Sequence, residues 1–358
     1  MPSKNRNAEL DGMRGYAALC VVFYHSILGL DSSLFGRVFH GDWGKLVSYD
    51  LALKIALTVF NGQAAVILFF IISGAVLSKG LSKEEGPLLV VSGRFLVRRF
   101  FRIYPALFVG VLACAAAFKF YGMEFGGDDI VANLLLYRFP INGATWTLQV
   151  ELIASVFLVL CFGGFFWFGE WGAVAVGMAL VVLFDRHMLG PVDDNSFRAF
   201  WFCFVLGMLV PTRLGKWIGE RSPIWVWPVF LILTLATRKT LQELSAGVLI
   251  NLLYYGRAGV FSTFLRLPLS QFLGRISYSF YLLNVLFLEI ICSYLRAQPW
   301  AVSHPLETGL CAALIIVALT IPTSYFSWLV IEKPANRIGH LVSEKWRVRS
   351  SASSPQSA

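Results

Sequence analysis

The amino-acid sequence predicts an all-α membrane protein: a polytopic bundle of about ten transmembrane helices, with both termini in the cytoplasm. Hydrophobic residues make up 57% of the 358 positions and charged residues only 14%, whereas soluble domains carry about 25% charged residues. Mostly apolar runs recur along the whole chain, and each approaches the roughly 17 to 25 residues needed to cross a bilayer core. These observations exclude an ordinary soluble domain.

The apolar runs give the predicted helices in chain order, and their number is even. They span residues 13–30, 62–79, 95–120, 146–168, 171–187, 197–213, 224–238, 240–256, 272–295 and 306–331. Two thirds of the 30 Lys and Arg residues fall on the side of the N-terminus, and the positive-inside rule identifies that side as cytoplasmic. The net charge of +9 is therefore mainly a topology signal and predicts no nucleic-acid partner.

Little of the chain lies outside these helices, which predicts one membrane domain over residues 1–345 and a disordered cytoplasmic tail over 346–358. Only the loop Asp31–Asn61 is long enough to hold structure of its own, and we expect a short amphipathic helix there. Arg238 and Lys239 fall on the outer side. Either they bind a substrate, or the boundaries of the neighbouring helices are displaced.

The six cysteines all lie inside apolar runs. Cysteine acts there as a small apolar residue, so the sequence predicts neither a disulfide framework nor a metal site. The first apolar run is not followed by a small-residue cleavage pattern, which favours a retained first helix over a signal peptide.

Arg14 and His25 are the most informative residues of the first helix. Eleven residues bring an α-helix about 20° past three full turns, with a rise of roughly 16 Å, so both side chains lie on one face. An ionisable residue near mid-membrane is a functional candidate, and imidazole can accept a proton from a hydroxyl. A neutral His packed among helices is the alternative. Asp11 is placed to cap this helix and neighbours Arg14.

A second basic group opens the third predicted helix, where Arg94, Arg98, Arg99 and Arg102 follow one another within GRFLVRRFFRIYP. A basic flank before a membrane helix satisfies topology alone. Arginines at helical spacing also suit bidentate binding of phosphate oxygens. They lie on the same predicted side as Arg14, which indicates a phosphorylated cytosolic ligand.

Three further polar positions lie within apolar helices. Glu151 is about 8 Å into the bilayer from the helix start near Trp146, so its carboxylate needs a partner such as His25 or an arginine. A structural tether between helices is the alternative. Ser73 provides a small polar spot for close approach of a ligand or backbone. Asn284 lies near mid-depth, where hydrogen-bonded packing is the simplest explanation.

Six motifs follow one another between about Glu9 and Arg337: ELDGMRGYAAL with its Arg-x10-His spacing, FFIISG, RRFFRIYP, TWTLQVE, LGRISYSFYLL and IEKPANR. In this order they resemble the acyltransferase-3 family of multi-pass membrane acyltransferases. The resemblance implies ten membrane helices and transfer of an acyl group, usually acetyl, from cytosolic acyl-CoA to a carbohydrate hydroxyl. Surface polysaccharides, glycolipids and oligosaccharide precursors are acceptors of this kind.

The resemblance also assigns roles to residues. His25 would be the essential base, with Arg14 as its motif partner and Glu151 as a weaker catalytic candidate. Arg99 and Arg102 would correspond to the family's Arg-x-x-Arg pair.

The remaining candidates complete the donor and acceptor sites. Arg98 and Ser73 are predicted to bind acyl-CoA together with the Arg-x-x-Arg pair. Asp11, Trp146 and Asn284 are predicted to contact the substrate, although the family often has His where this chain has Asn284. The acyl-CoA is a co-substrate, and no permanently bound cofactor is expected. The predicted location is the bilayer of a bacterial cytoplasmic (inner) membrane.

Two alternatives compete with this prediction. A secondary transporter or glycolipid flippase would use His25 and Glu151 as a proton relay, but it predicts paired broken helices in two halves of the chain, which the sequence does not show. A membrane-bound O-acyltransferase of the other fold would rely on a histidine and an asparagine, and the N-terminal Arg-x10-His argues against it.

Overall fold

The computed structural model describes residues 7–46, 48–186 and 195–352, and every regular element in these ranges is helical. The predicted all-α class is confirmed for them. The α-helices are α1 (Ala8–Leu28), α2 (Ser48–Val59), α3 (Gly62–Leu81), α4 (Leu88–Phe120), α5 (Gly127–Leu134), α6 (Trp146–Asp185), α7 (Asn195–Leu209), α8 (Arg213–Arg221), α9 (Trp227–Ala236), α10 (Lys239–Tyr254), α11 (Gly259–Leu265), α12 (Pro268–Arg296), α13 (Pro299–Ser303), α14 (Pro305–Ser327) and α15 (Lys333–Ala352).

The length and hydropathy of these helices suit a membrane protein. Within the described ranges, five segments are long and apolar enough to cross a bilayer: Ser48–Leu81, Leu88–Phe120, Gly143–Asp185, Pro268–Arg296 and Pro305–Trp346. The number rises to seven if two bent pairs each form one span: Phe197–Leu209 with Arg213–Arg221, and Lys239–Tyr254 with Gly259–Leu265. The count of ten and the cytoplasmic position of both termini stay predictions.

Helix α6 reverses direction at Gly169, which has φ 65° and ψ −154°, a backbone conformation open to glycine. Residues eight apart in a straight helix are about 12 Å apart. Here, a Cβ built on Gly164 would lie 2.5 Å from the carbonyl oxygen of Gly172. The two halves therefore form a helical hairpin, matching the separate helices predicted over 146–168 and 171–187.

Helix α1 packs directly on α12, because small residues let the two backbones meet. A Cβ built on Gly15 would lie 2.7 Å from the backbone nitrogen of Gly274, closer than a real side chain allows. Small residues at such crossings bring membrane helices into close contact. This contact fixes Arg14, one residue earlier on α1, beside the polar start of α12.

The long loop Asp31–Asn61 contains α2, as predicted, and a buried lysine ties the loop together. The Lys54 Nζ donates hydrogen bonds to the backbone oxygens of Val38, Phe39 and Gly41 at 3.2, 3.0 and 2.6 Å. Three carbonyl acceptors compensate for the desolvation of the ammonium group. The loop is thus an ordered cap at the end of the bundle opposite the start of α1.

Arg238, at the junction between α9 and α10, makes hydrogen bonds to this loop. Its Nη1 contacts the Nδ1 of His40 at 2.6 Å, and its Nη2 donates to the backbone oxygen of Phe39. An arginine donates only, so the Nδ1 of His40 accepts and the neutral ring carries its proton on Nε2. Arg238 thus lies between α9 and α10, which end and begin at Ala236 and Lys239 rather than at the predicted 238 and 240, and it contacts the loop.

Helix α15 continues to Ala352 and so enters the segment 346–358 predicted as a tail. Residues 353–358 lie outside the described residues, as do residues 1–6 of the predicted membrane domain.

Candidate active site

A cavity of about 660 Å³ opens at the end of the bundle where α1 begins. Ligand pockets in proteins commonly measure about 300–1,000 Å³. Residues of α1, α3, α4, α12 and α15 line it, and its walls are strongly basic. The arginines among the lining residues are Arg14, Arg94, Arg98, Arg99, Arg102 and Arg275. A concentration of positive charge in a cleft attracts anionic ligands.

Glu151 lies at the centre of a buried polar network in this cavity. Its Oε2 is 2.8 Å from the Nη2 of Arg99, and its Oε1 accepts a hydrogen bond from Ser73 Oγ at 2.8 Å. The Nε of Arg99 also donates to Ser155 at 3.0 Å. Only 5% of Arg99 is exposed. The sequence left open whether Glu151 pairs with His25 or with an arginine. The structure shows that Arg99 is its charged partner and that Ser73 donates a hydrogen bond to it.

A second carboxylate occupies the neighbouring arginines. Glu84, in the loop before α4, lies 2.9 Å from Arg94 and 2.7 Å from Arg98. The side chain of Arg94 is buried, and its Nε has no hydrogen-bond partner in the described part of the protein. Arg98, predicted to bind acyl-CoA, is thus already paired within the chain.

Arg14 and Arg102 differ from these arginines. Both line the cavity, and neither takes part in the ion pairs found among the described residues. Arg14 is close enough to Arg102 and Glu151 for their charges to act on it. The two arginines of the predicted Arg-x-x-Arg pair therefore differ: Arg99 pairs with Glu151, while Arg102 lines the cavity without an ion pair among the described residues.

The cavity continues into a narrow space of about 30 Å³. Arg14, Glu151 and Tyr278 line both spaces. At its far side lie Phe69 and Tyr281, whose rings meet edge to face with centroids 5.8 Å apart. Helix α1 contributes Arg14 to this narrow space, and the other lining residues come from α3, α6 and α12.

His25 lies in the last turn of α1. It is one helical turn past Val21, which packs in one cluster with Ala65 and Tyr281. The His25 side chain is exposed, and its ring meets Tyr24 edge to face at 5.3 Å. His25 lines neither the cavity nor the narrow space.

The residues predicted to contact the substrate occupy three different environments. Asp11 lines the basic cavity. Trp146 packs among aromatic rings, 5.5 Å from the ring centroid of Phe200. Asn284 is buried, and its amide donates to the backbone oxygens of Phe280 and Tyr281 in its own helix. The structure brings neither Trp146 nor Asn284 into the cavity.

Several residues that line the cavity were not predicted as site residues from the sequence. Tyr278 lines both spaces and donates a hydrogen bond to the backbone oxygen of Ile103 at 2.8 Å. Glu332 is buried in the cavity wall and accepts a hydrogen bond from Ser279 at 3.1 Å. The polar motifs LGRISYSFYLL and IEKPANR contain these residues, and their unusual polarity was the available signal.

The fold and the site together define a helical, membrane-type protein with a deep basic ligand cavity. A family model described as "Acyltransferase domain" matches residues 7–329, so the chain belongs to the acyltransferase-3 family.

A curated relative matches part of the chain. The chain is 26% identical over 269 residues to the O-acetyltransferase PaAT-1 of Phomopsis amygdali, a match that covers 60% of this chain and 50% of the relative. The chain thus spans about half the length of that relative. No solved structure matches the chain. The transporter alternative receives no support from these comparisons.

Proposed function

We propose that this protein moves an acyl group, normally acetyl, from cytosolic acyl-CoA to a hydroxyl of a carbohydrate, with His25 as the general base. The acceptor is a surface polysaccharide, a glycolipid or an oligosaccharide precursor in the membrane of a bacterial cell. The observation that carries the proposal is the cavity lined by six arginines, one of which, Arg14, lies on the same helix as His25.

The cavity suits the anionic end of the donor. Guanidinium groups bind phosphate oxygens through paired hydrogen bonds, and Arg102 and Arg14 are not engaged by the ion pairs described above. The pantetheine arm would then enter the narrow space between Arg14 and Tyr281. The rise of roughly 16 Å between Arg14 and His25 is the length this arm has to cover.

His25 would act on the acceptor. Its ring is exposed and makes no hydrogen bond among the described residues, so a ring nitrogen can accept the hydroxyl proton. The acceptor oxygen attacks the thioester carbonyl, the new C–O bond forms and the C–S bond breaks. The imidazolium then returns the proton to the departing sulfur, which releases CoA thiol.

Glu151 serves the site indirectly in this proposal. Its two oxygens are engaged by Arg99 and Ser73, so it would position the arginine wall rather than the imidazole. The hydroxyl of Tyr278, which already donates to Ile103, would support the same wall between the two spaces.

The test is transfer of labelled acetyl from acetyl-CoA to carbohydrate in membranes that contain the full chain. We expect His25→Ala to reduce transfer about a hundredfold or more, the usual contribution of a general base. His304→Ala is the matched control, because His304 is exposed at the start of α14 and its ring nitrogen lies within hydrogen-bond distance of Ser303 and Trp300, outside the cavity. Transfer by His25→Ala equal to that of the control would refute the proposal.

A further inference from the structure

Helix α15 supplies a wall of the basic cavity and packs antiparallel on α4. A Cβ built on Gly339 would lie 2.7 Å from the Cβ of Phe101, and one built on Gly93 would lie 2.9 Å from the ring of Trp346. These two contacts run in opposite directions along the two helices and hold α15 beside the arginine row of α4. The match to the family model ends at residue 329, before α15 begins.

One face of α15 presents polar, hydrogen-bonding side chains to the cavity. Asn336, His340 and Ser343 all line it, and their spacing of four and three residues puts them on one helix face. The described hydrogen bonds include none from the side chains of Asn336 or His340, whereas Ser343 donates to the backbone oxygen of His340 at 2.9 Å. Two polar side chains are thus available to a ligand.

Glu344, an acidic residue near this face of α15, indicates which part of a ligand would bind beside the helix. Glu344 also lines the cavity, one turn beyond His340. A carboxylate repels phosphate but accepts hydrogen bonds from amino and hydroxyl groups. The amide of Asn336 donates and accepts, as a nucleobase edge requires. Phosphates therefore belong with the arginines of α4, and an uncharged nucleoside belongs beside α15.

We infer that α15 is a nucleoside-binding wall of the donor site, in which Asn336 and His340 recognise the base and ribose of the acyl-CoA. This inference rests on the proposed function, because acyl-CoA is the donor only under that proposal. It adds a specificity determinant outside the part of the chain that the family model matches.

A series of shortened donors tests the inference. Acetyl-CoA and acetyl-dephospho-CoA both carry the nucleoside, while acetyl-phosphopantetheine keeps the thioester arm and one phosphate but lacks it. For the double variant Asn336→Ala/His340→Ala, we expect KM to rise about tenfold for the first two donors, the loss of one or two neutral hydrogen bonds. KM for acetyl-phosphopantetheine should equal the wild-type value for that donor.

The matched control is Arg337→Ala, since Arg337 is exposed on the same helix and does not line the cavity. A KM increase shared by all three donors would assign α15 a general packing role and overturn the inference. An increase with acetyl-CoA alone would show recognition of the 3′-phosphate and overturn it as well. If the wild-type protein transferred nothing from any donor, the proposed function itself would fail, which is a separate outcome.

Discussion

The neighbouring residues Arg98 and Arg99 show what the sequence reveals of the site at the scale of single residues. The motif correctly places both at the cavity, because helical spacing and basic character are visible in the sequence. The carboxylates that pair with these two arginines cannot be identified from the sequence. Successive residues point about 100° apart on a helix, so Arg99 reaches Glu151 and Arg98 reaches Glu84. Which carboxylate each arginine meets depends on how distant helices pack.

Removing Glu151 should destabilise the protein more than removing either hydroxyl around it. In Glu151→Ala the buried guanidinium of Arg99 loses its carboxylate, and an uncompensated buried charge costs about 3–5 kcal/mol. Ser73→Ala removes one hydrogen bond to a charged group, which costs about 1.5–3 kcal/mol. Thermal unfolding of the purified variants in the same detergent measures the difference. Equal loss in both variants would contradict the central position of Glu151 in the network.

At the scale of elements, the loop Asp31–Asn61 is the clearest comparison. Its length and polarity predict an ordered element, and α2 confirms the short helix. The function of Arg238 could not be read from the sequence, because its contact with His40 joins segments 198 residues apart. The same limit applies to α15, whose neighbours on α4 are known only from packing.

The contact between His40 and Arg238 makes this loop sensitive to pH. Desolvation lowers the pKa of His40, and the nearby charges of Arg238 and Lys54 lower it further. Asp42 is the acidic residue nearest in sequence to this cluster and pairs with Lys45 at 3.8 Å. The folded state therefore binds the His40 proton less well than the unfolded state, whose pKa is about 6.5. The stabilisation is present above that pKa and is lost as pH falls toward the lowered folded value.

We expect the loop of the wild-type protein to become more sensitive to protease as the pH falls from about 7 to 5, the range in which an unperturbed imidazole gains its proton. Limited proteolysis by a protease whose own activity is normalised at each pH measures this change. His40→Gln, which cannot gain that proton, should show a smaller change. An identical pH response in both proteins would show that the contact with Arg238 does not control the loop.

At the scale of the whole molecule, composition and hydropathy are sufficient to predict a helical membrane bundle. The count of ten helices is harder to obtain, because α9 has only 10 residues and two helix pairs bend by 75° and 73°. The site is harder still. It combines Arg14, Glu151, Tyr278 and His340 from four helices, and the sequence shows each residue but not their assembly.

In the proposed mechanism, α1 carries both Arg14 at the donor site and the base His25. Substitutions at the donor site and at the base should therefore change different kinetic parameters. Under the proposed function, Arg102, which lines the cavity, belongs to the donor site, and His25 is the base.

Steady-state kinetics with acetyl-CoA as the varied substrate test this claim most directly. We predict that Arg102→Ala mainly raises the donor KM, by about tenfold for one lost charge-assisted contact. His25→Ala should instead lower kcat by about 10²- to 10⁴-fold at a nearly unchanged donor KM. A wild-type kcat in His25→Ala, or the same parameter altered in both variants, would contradict the separation of donor site and base.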